Sequence, residues 1–179
     1  MVGSLFAQNL PPQSDIWVVK LGTEKEIIVP DEKPVILLLH GLNSNHSIWD
    51  RFISHMEDKQ EFSYCGNWDN AMGMNKDFNL NTVNQTGNIT SGGMIYQKNK
   101  SCEDDVRNNK VYGIYTMNFS SNNQLTFEQQ GEEVRKVIIN IQSKFKNRKI
   151  ILFGHSMGGL AARSYILNNP YTSLAGLIT

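Results

Sequence analysis

Ile150-Ile151-Leu152-Phe153-Gly154-His155-Ser156-Met157-Gly158-Gly159-Leu160-Ala161-Ala162-Arg163 is the stretch on which the fold turns. Its first four residues are apolar with no polar alternation, the pattern of a strand covered on both faces, as in a parallel sheet. A helix follows from Ser156, with Leu160, Ala161, Tyr165 and Ile166 on its face, until Asn168-Asn169-Pro170 stops it. A serine flanked by glycines at minus two and plus two, between a buried strand and a helix, meets the context of a G-x-S-x-G nucleophile elbow. The glycines at Gly154 and Gly158 remove side chains that would collide where the chain turns sharply. The start of the helix aims free N–H groups and a positive dipole end at any developing oxyanion. Ser156 is therefore a candidate nucleophile. The plain alternative is a serine that caps a helix after a glycine turn. No lysine follows the glycines, as a phosphate-binding Walker loop requires, and G-x-G-x-x-G is not spelled.

Working outward, Val35-Ile36-Leu37-Leu38-Leu39 is a second wholly apolar strand, and it ends at His40-Gly41. After a loop over 42–46, Ser47 is placed to cap a short helix with Ile48, Trp49, Phe52, Ile53 and Met56 on one face. Val111 to Met117 reads as a strand. Thr126 with Gln129 spells a capping box, opening a helix whose face is Phe127, Val134, Val137, Ile138, Ile141 and Phe145. Leu174 to Thr179 starts a further strand. Upstream, Ile16–Leu21 and Glu26–Val29 read as two short strands around Gly22-Thr23, an antiparallel hairpin. Strand and helix in alternation give an α/β class with a mostly parallel sheet, flanking helices and this hairpin at its N-terminal edge. Ligands of such sheets bind beyond the carboxyl ends of the strands, where both His40-Gly41 and Gly154–Gly159 fall.

Acyl transfer needs two backbone donors converging on one oxygen, one from the residue after the nucleophile and one from the earlier strand-end loop. Met157 and Leu42 are the residues at those positions, with His40 and Gly41 shaping the loop. An ordinary strand-end turn is the alternative for His40-Gly41.

Together these residues resemble the α/β-hydrolase superfamily, within it the bacterial lipase and esterase branch, and they are also similar to GPI inositol-deacylase-like enzymes. The resemblance covers Val35 to about Ser54 and Val111 to Thr179. It implies a serine hydrolase of carboxylic esters, with a small-molecule or lipid ester as substrate. In that fold the acid and the histidine follow the nucleophile in chain order. Here the last acidic residue is Glu133 and the last histidine is His155, inside the elbow. His155 then reads as packing, and His46 and His55 are poor candidates for the base. The expectation is a single domain over 1–179 that stops short at its C-terminus, its acid and base lying beyond Thr179 and the piece alone nearly inactive. An inactive remnant or binding protein of the same fold, and an acyltransferase, are the alternatives.

From about Glu57 to Lys110 no period of 2 or 3.6 persists, and the segment reads as a polar insertion. It serves either as a lid or substrate wall, with Phe62, Tyr64, Trp68, Met72, Met74 and Tyr96 as apolar contacts, or as a solvated loop. Cys65 and Cys102 lie in it, matching no metal or redox motif. They either pair, as in an exported protein, or remain two thiols; the low apolar content of the segment favours pairing and an exported location. Asn45, Asn84, Asn88, Asn99 and Asn118 each begin an N-x-S/T sequon, a weak signal in so Asn-rich a chain.

The 179 residues carry 17 basic and 17 acidic side chains and 40% hydrophobic residues, enough for a core. A zero formal charge gives no general attraction to phosphate backbones, so no nucleic-acid partner is expected. The longest aliphatic run, Val35–Leu39, is far short of the roughly 20 residues of a transmembrane helix. Met1–Gln8 lacks the basic and apolar regions of a complete signal peptide, although Leu5-Phe6-Ala7 before Gln8-Asn9 suits the end of one. Neither a metal cluster nor a cofactor motif is spelled, and none is expected.

Overall fold

The computed structural model describes residues 17–19, 32–70, 89–90, 93–96, 101–121, 123–146, 148–169 and 173–179. In chain order the strands are β1 (Trp17–Val19), β2 (Val35–Leu39), β3 (Phe62–Asp69), β4 (Ile89–Thr90), β5 (Gly93–Tyr96), β6 (Tyr112–Asn118), β7 (Ile150–Gly154) and β8 (Leu174–Ile178). The helices are α1 (Asp50–Glu57), α2 (Cys102–Arg107), α3 (Phe127–Lys144) and α4 (Met157–Asn168), with a 3-10 turn at His46–Trp49 ahead of α1. The sheet order is β1-β8-β7-β2-β6-β3-β5-β4. Strands β8, β7, β2, β6 and β3 run parallel. Among the described residues no helix is long and apolar enough to cross a membrane.

Alternation along β2 explains its unbroken apolar run. Val35, Leu37 and Leu39 join Tyr115, Met117, Ile150 and Leu152 in a cluster closed by Val134, Val137, Ile138 and Ile141 of α3 and Ala161, Ala162 and Tyr165 of α4. Ile36 and Leu38 point the other way, into a smaller cluster with Ile114, Trp49 and Ile53. A strand with helices on both faces needs apolar residues on both. Where α3 and α4 meet, a Cβ on Gly131 would stand 2.9 Å from the Tyr165 nitrogen, so the glycine sets how closely the two helices approach.

Several sequence expectations change. The antiparallel hairpin is not shown: β1, its first arm, pairs parallel with β8, and residues 26–29 lie outside the described residues. The polar stretch 57–110 contains β3, parallel to β6, and α2. Its polar strand residues are satisfied internally: Thr116 Oγ donates to Asn67 Oδ1 at 3.0 Å and Trp68 Nε1 donates to Asn70 Oδ1 at 2.9 Å. A register shift at Gly66, φ 146°, further obscures the period of two. Trp68 is buried, Phe62 stacks on Tyr112 and the Tyr64 hydroxyl bonds Thr116, so these three side chains pack on the sheet. Met72 and Met74 fall outside the described residues. Cys65 and Cys102, both buried, are joined by a disulfide between β3 and α2 with Cα atoms 5.4 Å apart.

Helix starts move as well. Asn45, not Ser47, caps the 3-10 turn, its Oδ1 accepting the Ser47 N–H at 2.8 Å. Thr126 and Gln129 form the capping box of α3, but Phe127 is exposed. Leu160 is exposed because α4 packs through its small residues instead.

Candidate active site

Strand β7 ends at Gly154, and the His155 N–H extends the ladder by donating to the Leu39 carbonyl at 3.0 Å. The chain then reverses in one residue. Ser156 has φ 54° and ψ −118°, a conformation outside the regions open to L-residues without strain, and α4 begins at Met157. The neighbouring glycines permit this turn sterically. A Cβ on Gly158 would stand 2.5 Å from the Leu39 carbonyl oxygen, and one on Gly154 would stand 2.6 Å from the Gly159 nitrogen. Ser156 is exposed above this packed base.

Met157 is the first helical residue, one of the positions whose N–H has no carbonyl a turn earlier to bond. The Gly158 and Gly159 N–H groups close on the His155 and Ser156 carbonyls, at 3.0 and 2.9 Å. Among the described residues the Met157 N–H has no such partner, while the Met157 side chain is buried in the larger core cluster.

The loop after β2 lies against the elbow. A Cβ on Gly41 would stand 2.9 Å from His155 Nδ1 and 3.3 Å from Ser156 Cβ, so only a glycine leaves this approach open. Leu42 follows, 56% exposed, before Asn43 turns the chain with φ 52°.

His40 fixes that loop from beneath. It is fully buried; its Nε2 accepts the Phe119 N–H at 3.3 Å and its Nδ1 lies 2.8 Å from the Gly41 carbonyl. A backbone N–H can only donate, so Nε2 is the bare nitrogen and Nδ1–H donates to Gly41. Burial pushes the imidazole pKa below its ordinary value, against the opposing Gly41 bond. Ser120, next to Phe119, is held in turn by Glu133 of α3, a buried carboxylate that accepts the Ser120 N–H at 2.9 Å and the Ser120 hydroxyl. Burial raises the Glu133 pKa, and the two Ser120 bonds oppose it. Sequence reading passed over Glu133. Its signal was positional, a carboxylate immediately before Val134 on the stripe that continues through Val137, Ile138 and Ile141.

His155 is exposed and meets Trp49 edge-on, with ring centroids 6.5 Å apart. His46 bonds Asn118, and His55 is exposed on α1. Among the described residues no histidine or carboxylate is hydrogen-bonded to the Ser156 side chain, and no group of three or more His, Cys, Asp or Glu could hold a metal ion.

Comparison with known proteins agrees with this architecture. The crystal structure of the product of gene lin2722 from Listeria innocua superposes with a TM-score of 0.55 at 18% identity, over 82% of this chain and 49% of that one. At that identity the likeness shows the fold alone, and the chain spans about half the length of that protein. No curated protein matches. Residues 23–174 match the model of the family described as alpha/beta hydrolase of unknown function (DUF915). With 23–174 taking in both the elbow and the loop after β2, the chain belongs to that family and, through it, to the α/β-hydrolase superfamily.

Proposed function

We propose that this chain carries the nucleophile and oxyanion side of a serine hydrolase acting on carboxylic esters, lipase- or esterase-like, through an acyl-enzyme on Ser156. One observation carries the reading: an exposed serine in a strained strand-to-helix turn, pressed against a glycine loop from the neighbouring strand. In this reading the Ser156 hydroxyl oxygen adds to the ester carbonyl as its proton passes to the relay base, and the N–H groups of Met157 and Leu42 receive the oxyanion; the ester C–O bond then breaks, the alcohol leaves with that proton, and water later releases the acid from Ser156. Loss of one such donor typically costs about 2.7 to 4 kcal/mol in the transition state. His40 and Gly41 hold the loop, while Gly154, His155 and Gly158 shape the elbow. No acid or base of the relay is assigned among the described residues. The buried Cys65–Cys102 pair supports an oxidising, extracytoplasmic location.

A fluorophosphonate probe applied to the product of the full reading frame is expected to label Ser156 and to leave a Ser156→Ala variant unlabelled. Persistent labelling of that variant defeats the assignment. A second reading, a binding protein or inactive remnant, is favoured by the absence of any histidine bonded to Ser156 among the described residues. Absence of labelling in the wild-type protein supports it.

A further inference from the structure

The turn after β2 carries a second polar group at the carboxyl edge of the sheet. Asn118, at the end of β6, accepts the His46 backbone N–H at 2.7 Å through Oδ1, and His46 Nδ1 lies 3.1 Å from the same oxygen. Asn118 Nδ2 donates to Asp69 Oδ2 at 3.1 Å, at the end of β3. Both anchors fix the orientation of the amide, because a backbone N–H must meet the oxygen and a carboxylate must meet the nitrogen. Asn118 Oδ1 is then an acceptor, so His46 Nδ1 is the protonated nitrogen. In the neutral ring Nε2 then carries the lone pair, and among the described residues no hydrogen bond reaches it.

Distance decides what this nitrogen can serve. Trp49, at the other end of the 3-10 turn, reaches His155 beside the nucleophile, while His46 sits over β6. From β7 to β6 the sheet crosses β2, two strand spacings or about 10 Å. A general base must come within about 3 Å of the serine hydroxyl, so His46 is not placed for that work. Attack distance of about 3 Å, about 5 Å for roughly four bonds from the carbonyl carbon to the nearer free hydroxyl of a glycerol ester, and a hydrogen bond of about 2.8 Å together span about 11 Å, close to that separation.

Resting on the proposed ester-hydrolase reading, we infer that His46 is a specificity-determining residue. Its Nε2 accepts a hydrogen bond from a hydroxyl on the alcohol part of the ester, which makes a short polyol ester of glycerol size the preferred substrate class. Asn118 and Asp69 act as positioning residues, holding the ring in the accepting tautomer.

The test compares 1-butyrylglycerol with ethyl butyrate, which share an acyl group and differ in the distal hydroxyls, using the product of the full reading frame. His46→Ala is expected to lower kcat/KM for the glycerol ester about five- to tenfold, mainly through KM, and to leave the ethyl ester within about twofold, the scale of one neutral hydrogen bond. His46→Gln, which keeps an acceptor, is expected to recover part of the loss. Equal losses on both esters, or no loss on the glycerol ester, overturn the inference; urea midpoints of both variants confirm that folding is intact. Fluorophosphonate labelling separates the two layers: if Ser156 is labelled and His46→Ala shows no selective loss, the hydrolase reading stands and the role of His46 falls.

Discussion

Ser156 and His40 show how much a single residue can be read from sequence. The elbow and the strand-end loop were legible because steric demands force glycine at fixed offsets, and Gly41, Gly154 and Gly158 each face atoms that exclude a side chain. The work of His40 was not legible, because its partner Phe119 is 79 residues away. His40 makes a pH prediction. Its folded pKa is lowered, so between the folded and unfolded values, near 6.5, the unfolded chain binds more protons. Stability is then full above about pH 6.5 and falls as pH drops below it. Glu133, whose folded pKa is raised, works in the opposite sense: its contribution is present below about 4.5 and is lost as pH rises through the folded value. Urea midpoints measured from pH 7.5 to 5.5 are expected to decline for the wild-type chain and to flatten in His40→Gln, which keeps an acceptor for the Phe119 N–H but cannot titrate. An unchanged slope in that variant would remove His40 as the cause.

Elements followed the sequence where one force set the pattern. Parallel strands β2 and β7 and the capping box of α3 were read from apolar runs and one dipeptide offset. Strand β3 was hidden because its polar residues bond to β6, a partner no local pattern reveals. Helix α3 carries a comparable hidden feature in Glu133, which ties it to the loop leaving β6. Two substitutions separate shape from charge there. Glu133→Gln keeps an acceptor for the Ser120 N–H and a donor for its hydroxyl, and it removes a buried charge; its stability is expected to stay within about 1 kcal/mol of wild type. Glu133→Ala strands the Ser120 donors and is expected to cost about 1 to 3 kcal/mol. Urea unfolding of both variants is the measurement, and equal losses would show that the ionised carboxylate, not its hydrogen bonds, holds the loop.

At the scale of the whole molecule, strand order was the least legible feature. Sequence gives strands in succession, whereas the sheet places β2 centrally and returns β1 to the far edge beside β8. The pairing of Cys65 with Cys102 belongs to this scale, since it links β3 to α2 across a separation of 37 residues. On the chain-entropy model, a loop of that size restricts the unfolded chain by roughly 3 to 4 kcal/mol. The bond lies on the β6–β3 side of the sheet, and the elbow lies on β7 beyond β2. Replacing both cysteines by alanine is therefore expected to lower unfolding stability by about 3 kcal/mol while leaving fluorophosphonate labelling of Ser156 unchanged at temperatures well below the midpoint. Thiol titration of the unfolded wild-type chain should find two reactive groups only after reduction. A loss below about 1 kcal/mol, with thiols shown to be bonded, would mean that the enclosed segment is already restrained in the unfolded ensemble. A loss of labelling would instead tie the geometry of the elbow to the far side of the sheet, through the shared ladder of β2 and β6.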